Sequence, residues 1–559
     1  MDLKNTLAAI SLSAAIIVLW GLFFAPDADQ VKKAQLEKER SELVNNEDAP
    51  KLIEKEEIKV ITRDKAIDES PRIFFENENI IGSISLNGGV IDDLTFKKYT
   101  TTVEGDEKVI LLNPKVMETG YYIDSGWAIN NNEIEAPSSK TIWNVEGNNK
   151  LTPGSPIKLT WTNNNNITFE KIIKLDNKFL FNIEQKIINN SEKTYNFYPY
   201  GQIIRNEIPE ITNFFILHEG PLGVFDSELI EKDYDDIQEK SYSINADKGW
   251  LGITDKYWIA SLIPQENRKF RSDFDYKNKF RANFIETNAT EIRANETKSN
   301  EIKILLAAKE VRIIDEYAKK LNIEKLDLVI DWGYLYFLTR PMWFALDYFF
   351  KLLGNYGLAI IAVTVCIRVI LFPLAQMSFV SMGRMKKLQP EMTRLKSIHK
   401  DKAELQRAMM ALYKREKVNP MSGCLPIVPM IFIFFALYKV LFVTLDSRHQ
   451  PFFGWIEDLS SRDPTSFANL FGLIPWDPPS FLIIGIWPIA MGLSMYVQQL
   501  LNPQMPDPVQ RKIFQFFPLV LTIILAPFPA GLVIYWTVNN VLQMGQQYLV
   551  LRSTKVKTT

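Results

Sequence analysis

Between residues 354 and 551 the sequence alternates apolar stretches with short polar segments, and none of those stretches contains an aspartate or glutamate. This excludes a single water-soluble core. A helix rises ~1.5 Å per residue, so about 20 apolar residues cross a ~30 Å hydrocarbon layer, and helices satisfy their own backbone hydrogen bonds while doing so. Residues 354–376, 424–445, 480–501, 513–527 and 531–551 are expected to span a membrane. The last two come from one apolar region too long for a single crossing, divided by the Pro- and Gly-containing turn Ala526 to Gly531. An earlier uncharged run, Thr6 to Ala25, makes residues 1–25 a first span, with a cleavable signal peptide as the alternative.

The polar segments set the orientation by the positive-inside rule. Gly383 to Val418 carries eleven Lys/Arg against four Asp/Glu and is expected in the cytoplasm, whereas residues 446–479 carry two against five and belong outside. Arg511 and Lys512, and the short basic tail 552–559, then fall inside. The result is six spans with both termini cytoplasmic. The net charge of -2 averages over these segments and points to no specific nucleic acid sequence.

Residues 26–57 are dominated by charge and read as a solvated linker. From 58 to 310 the texture changes to short alternating runs, such as Phe179, Phe181 and Ile183 against Leu180, Asn182 and Glu184. Turn residues separate the runs, including a Gly-Gly pair in IIGSISLNGGVIDDLTF. This predicts a large extracytoplasmic all-β sandwich. Residues 311–353 are expected to form amphipathic helices in the membrane interface, because DWGYLYFLTRPMWFALDYFFKLLG combines many aromatic rings with Arg340, Asp347 and Lys351. The two cysteines, Cys366 and Cys424, lie in apolar segments, and His218, His399 and His449 are scattered, so neither a disulfide framework nor a metal site nor a cofactor is expected.

Arg368 stands inside the span AIIAVTVCIRVILFPLAQ, where an unpaired charge costs at least ~2.5–3.5 kcal/mol unless it is wetted or paired. No intramembrane carboxylate exists to pair with it. Snorkelling to the interface, or contact with water and neutral polar groups, are the ways left. The last span offers such groups in a stripe of Trp536, Asn539, Asn540, Gln543, Gln546 and Gln547 at helical spacing; Thr364 lies one turn before Arg368, and Ser494, Gln498 and Gln499 add polarity to the fourth span. The residues could be polar glue between helices. Together with the arginine they are read as a hydrated, positively charged groove, open to the cytoplasm and closed toward the outside. Lys439, near the end of the third span, is expected to snorkel outward.

Residues 377–423 read as a basic helical hairpin. Met385, Leu388, Met392 and Leu395 share one helical face, Leu405, Ala408, Met409 and Leu412 another, and seven of the fifteen methionines fall in this region. Flexible thioethers suit varied apolar partners. Met385, Met392 and Met409, with Lys386 and Lys387, are therefore candidate contacts for substrate or ribosome, although a self-packed hairpin explains the same stripe.

In this order of parts the chain resembles the YidC membrane-protein insertases of Gram-negative bacteria. The matching stretches are DWGYLYFLTRPMWF, AVTVCIRVILFPL, MGRMKKLQPEM, MMALYKREKVNPMSGCLP and FPAGLVIYWTVNN, with GSISLNGGVIDDLTF and KGWLGITDKYWIASLIP in the outer region. The resemblance implies an inner-membrane insertase and intramembrane chaperone, not an enzyme, that handles nascent membrane proteins alone or beside the Sec translocon. It implies a periplasmic sandwich similar to sugar-mutarotase folds, and matches Arg368, Thr364 and Trp536 to the family's groove. Some members carry a long basic tail that holds ribosomes; with the short tail here, ribosome contact is expected to rest on the cytoplasmic loop. A solute channel or transporter is the rival reading. Coupled transporters, however, usually carry the intramembrane carboxylates that this chain lacks.

Overall fold

The computed structural model describes residues 60–130, 134–211, 217–399, 401–416, 418, 427–476, 478–479, 483–502 and 508–553. The expected first span, the charged linker and most of the tail lie outside the described residues.

After a short helix α1 (Arg63–Asp68) come two large sheets, of eleven and nine strands, paired antiparallel apart from Phe74 and Phe75, which run parallel to Lys150 and Leu151. The strand Leu180–Asn189 lies inside the nine-stranded sheet between Ile167–Leu175 and Thr297–Ala308. It buries Phe181, Ile183 and Ile187 and leaves Asn182, Glu184 and Lys186 half-exposed, so period-two patterning here corresponds to one face against the opposing sheet. Gly88 and Gly89 turn the chain between Ile80–Ser85 and Val90–Thr100 at φ 88° and 64°, and a Cβ on Gly89 would stand 2.8 Å from the indole nitrogen of Trp143. Both conformation and space demand glycine there. A second short helix, α2 (Tyr234–Glu239), packs on the sandwich.

Helix α3 (Val311–Lys320), a 3-10 turn at Leu326–Val329 and helix α4 (Tyr336–Leu353) lead to the bundle. Arg340 of α4 donates to both carboxylate oxygens of Asp315 at 2.8 and 3.0 Å, and Arg312 pairs with Asp347, so charges within the aromatic segment hold the two helices together. Phe337, Phe344, Tyr348 and Leu352 remain exposed, while Trp343 is buried with its indole N–H on Asp446 at 2.8 Å.

The bundle comprises α5 (Tyr356–Ile370), α6 (Phe372–Lys387), α7 (Gln389–Ile398), α8 (Lys402–Arg415), α9 (Ile427–Val443), α10 (Ile486–Leu501), α11 (Pro508–Leu525) and α12 (Ala530–Ser553). Helix α12 packs against α10, α5, α6 and α9. The expected continuous helix over 354–376 is corrected by the structure. It breaks at Leu371, and α5 and α6 meet at 67°. Pro373, at the start of α6, has no N–H for the helix ladder and would clash with the preceding turn. Among the described residues no single helix is long and apolar enough to cross a membrane; the α5–α6 pair meets that measure only jointly.

Sandwich and bundle share one apolar core through Val311, Ile314, Trp332 and Trp343. Polar contacts close the junction. Arg448 donates to the carbonyls of Thr100 and Thr101 at 2.6 and 3.3 Å, and the Lys256 ammonium lies 3.8 Å over the Phe442 ring. Lys439 does not snorkel: it is 9% exposed and pairs with Asp331 at 2.8 Å, because the segment between the 3-10 turn and α4 brings a carboxylate to it. Asp331 also accepts from the backbone N–H groups of His218 and Gly333 at 3.0 and 3.1 Å.

Removing one partner of a buried pair leaves the other charge unpaired, at a cost of ~3–5 kcal/mol when burial is complete. Asp331→Asn is expected to destabilise the protein by an amount near the lower end of that range, seen as a lower thermal midpoint in detergent, and a second change, Lys439→Met, to recover most of it. An unchanged midpoint for Asp331→Asn would show that the pair does not support the junction.

Inside the sandwich Glu286 is also buried, with Asn300 donating to one carboxylate oxygen at 2.6 Å and Arg268 3.9 Å from the other. Burial pushes its pKa up from 4.5 to about 7, against weaker opposition from Arg268 and Asn300. The folded state therefore holds a proton that the unfolded chain has lost, and stability falls as pH rises from 4.5 to about 7. Glu286→Gln should flatten that slope, which is at most ~1.4 kcal/mol per pH unit, in denaturant titrations across the window.

Candidate functional site: a groove around Arg368

Arg368 lies in the last turn of α5, just before the break, and is half-buried against α12. Its Nε donates to Asn539 Oδ1 at 2.8 Å, and Nη2 donates to the Asn539 carbonyl at 2.9 Å and to Gln543 Oε1 at 2.8 Å. Asn539 and Gln543 are four apart on one helix, so both oxygens face the same fork. All three acceptors are neutral. They satisfy hydrogen bonds without cancelling the charge, and among the described residues no side chain takes the two N–H groups on Nη1.

Arg368 lines a cavity of about 1600 Å³. The hairpin end is polar, with Gln498, Asn502, Asn539, Asn540 and Gln543 around the guanidinium. Asn540 donates to Ser494 Oγ at 2.9 Å, tying α12 to α10. The middle is aromatic: Trp536 meets Phe434 edge-on at 4.7 Å, and Phe434 stacks with Tyr438 at 6.3 Å. The break at Leu371 swings α6 alongside, so that Ala375, Ser378, Phe379 and Met382 form one wall. The cavity also extends beneath the sandwich, continuing past Tyr438 to Lys439, Asp331, Glu231 and His218.

Of the eleven residues read from sequence as the groove, six line the cavity: Arg368, Gln498, Trp536, Asn539, Asn540 and Gln543, whereas Ser494, Gln499, Gln546 and Gln547 do not. Nor does Thr364. It is 1% exposed and its hydroxyl donates to the Ile360 carbonyl at 2.7 Å, the back-bond open to a threonine in mid-helix, so it packs the helix and does not line the cavity. Tyr535 was missed. It is 2% exposed, lines the cavity, and its hydroxyl has no partner among the described residues. The spacing of Tyr535, Asn539 and Gln543 at four residues could have revealed it.

On the hairpin, α7 and α8 pack face to face with Asp401 capping α8 by accepting from the Glu404 N–H at 3.3 Å. Met392 and Met409 are 5% and 9% exposed, in a cluster with Leu412. This is the self-packed hairpin that the same stripe allows, with the apolar faces of two short helices buried against each other. Met385 and Lys386 are half-buried and Lys387 is exposed. Among the described residues no group of three or more His, Cys, Asp or Glu could hold a metal ion.

The arrangement offers a positive charge, amide donors and acceptors, and an aromatic wall, which suffices to solvate a polar chain beside apolar surface. Comparison with known proteins extends along the whole chain. The YidC periplasmic domain family matches residues 72–345, and the 60Kd inner membrane protein family matches residues 348–557. The membrane protein insertase YidC of Pelagibacter ubique is 60% identical over 560 residues, covering all of both chains. That of Brucella suis is 43% identical, over 89% of this chain and 83% of its own. A crystal structure of an active YidC insertase aligns with 88% of this chain and 94% of its own at 16% identity and a TM-score of 0.36. With an identity of 60% across its full length, the chain belongs to the YidC family of membrane protein insertases, inner membrane proteins with a periplasmic domain.

Proposed function

We propose that this chain inserts membrane proteins by admitting their segments from the cytoplasm into the groove around Arg368 and releasing the apolar parts sideways into lipid. The observation that carries the reading is the guanidinium held by Asn539 and Gln543 and, among the described residues, by no carboxylate. At an effective dielectric of ~20, a carboxylate 4 Å away gains ~4 kcal/mol from such a charge, comparable with the cost of bringing a polar group out of water. No covalent step is needed.

In this reading the sandwich is periplasmic, six spans cross the membrane with five of them forming the insertase core, and both termini are cytoplasmic. The distribution of Lys and Arg supports that sense. The bent α5–α6 pair carries the second span across and turns it along the inner surface. Lys386, Lys387 and Met385 are placed to meet arriving chains or ribosomes, while Met392 and Met409 set the angle of the hairpin and meet substrate only if it opens. Large substrates would pass between this groove and the Sec translocon. The cavity's extension to Asp331 favours one other reading, a conduit for solutes. Against it stands the aromatic stretch of Phe434, Tyr438 and Trp536, which offers little to keep a water path hydrated.

Arg368→Ala should reduce insertion of a substrate with acidic residues in its translocated segment by roughly tenfold, the equivalent of ~1.4 kcal/mol, with Arg368→Lys retaining much of the activity. An equal loss for a substrate stripped of acidic residues would remove the electrostatic role. In a background lacking Cys366 and Cys424, a single cysteine replacing the half-buried Gln543 should react with a charged thiol reagent added from the cytoplasm, and one replacing the buried Thr364 should react much more slowly. Equal labelling from the periplasm would place the conduit ahead of the insertase.

A further inference from the structure

The segment between α9 and α10 carries a tip whose apolar side chains stand largely exposed. Phe467, Leu470, Phe471, Leu473, Ile474 and Trp476 are 43–83% exposed, and residues 467–476 contain no charged side chain. Isolated exposed apolar groups are ordinary, but so many within ten residues form the kind of patch that marks an interaction surface.

The tip is a built element. Phe471 N–H donates to the Ser466 carbonyl at 2.8 Å, Ile474 N–H to Asn469 at 3.0 Å, and Phe467 N–H to Ile484 at 3.1 Å. Its base is fixed by Asp463, 2% exposed, which accepts from Trp455 Nε1 at 3.1 Å, from the hydroxyl of Thr465 at 2.7 Å and from the Trp487 N–H at 2.9 Å. The same segment clasps the turn between α11 and α12, where Ala530 and Gly531 donate to the carbonyls of Ser461 and Leu459 at 2.7 and 3.0 Å. Backbone polar groups are therefore largely spent internally, and what the tip presents outward is hydrocarbon and aromatic surface.

The site of the tip indicates what covers it. It is anchored on the first residues of α10, whose Ile489, Leu493, Tyr496, Val497 and Leu500 are exposed along the helix surface. In an inner membrane protein that surface meets acyl chains, and the tip continues it at the end facing the periplasmic domain. Aromatic rings and short apolar side chains free of charge are the groups that settle at the boundary between headgroups and acyl chains. We propose that residues 467–476 insert into the outer leaflet beside α10 as a lipid anchor. Through Asp463 and the Ala530–Gly531 clasp, the anchor sets the depth at which the ends of α10, α11 and α12 sit in the bilayer.

The test uses the full chain lacking Cys366 and Cys424, with a single cysteine replacing Leu473, or independently Ile474, labelled with an environment-sensitive fluorophore and reconstituted in phosphatidylcholine vesicles. The control is a cysteine replacing the exposed Glu192, in the turn after the strand Leu180–Asn189 and at its end away from the bundle. Both tip labels are expected to be quenched several-fold more by brominated acyl chains than by added iodide, and the control the reverse. Iodide quenching of the tip equal to the control would mean that it stands in water. Protection from both quenchers would mean that a second copy of the chain covers it. Either outcome overturns the proposal.

Discussion

The bond set of Arg368 is the constraint on which the bundle depends. A guanidinium in a nearly carboxylate-free bundle can be kept only where several neutral oxygens converge, and one turn of α12 supplies them in Asn539 and Gln543. That requirement fixes the rotation of α12 against α5. It also places Trp536 and Tyr535 on the cavity, and leaves Asn540 to reach across to Ser494 of α10. The choice of amides over a carboxylate satisfies the hydrogen bonds without cancelling the charge.

At the other end of the cavity the chemistry is reversed. Lys439 is paired, and the surrounding Asp331 and Glu231 come from outside the helices, from the interface segment and the sandwich. The periplasmic domain is thus part of the cavity's boundary, not a separate body on a tether. Its fixed contacts, from Arg448 on Thr100 to Lys256 on Phe442, explain why one apolar core runs through both parts. A domain that forms part of the wall can be removed only by exposing that end of the groove, which bears on how deletions within the sandwich should be interpreted.

Much was legible in the sequence because the signals were local. Apolar stretches without acidic residues, alternating runs between turn residues, and a polar stripe at helical spacing report periodicity, and periodicity survives without knowledge of neighbours. The Gly-Gly turn and the Pro- and Gly-containing break before α12 belong to the same class, since each depends on backbone chemistry at one position. Pro373 is equally visible but lies inside an apolar run that reads as one helix, and with its missing N–H α5 ends two residues after Arg368.

The sequence by itself determined the division into a β-rich and a helical part, the family, the arginine that needs neutral partners, and the stripe able to provide them. Tertiary structure alone decided which oxygens meet the guanidinium, that Thr364 back-bonds to Ile360, that Met392 and Met409 are spent within the hairpin, and that Lys439 finds Asp331. The physical reason is separation along the chain. Arg368 and Asn539 are 171 residues apart, and Lys439 meets a carboxylate that no span contains. Spacing within one helix says which face a residue occupies, but what waits opposite that face depends on how distant segments pack and bury their apolar surfaces together.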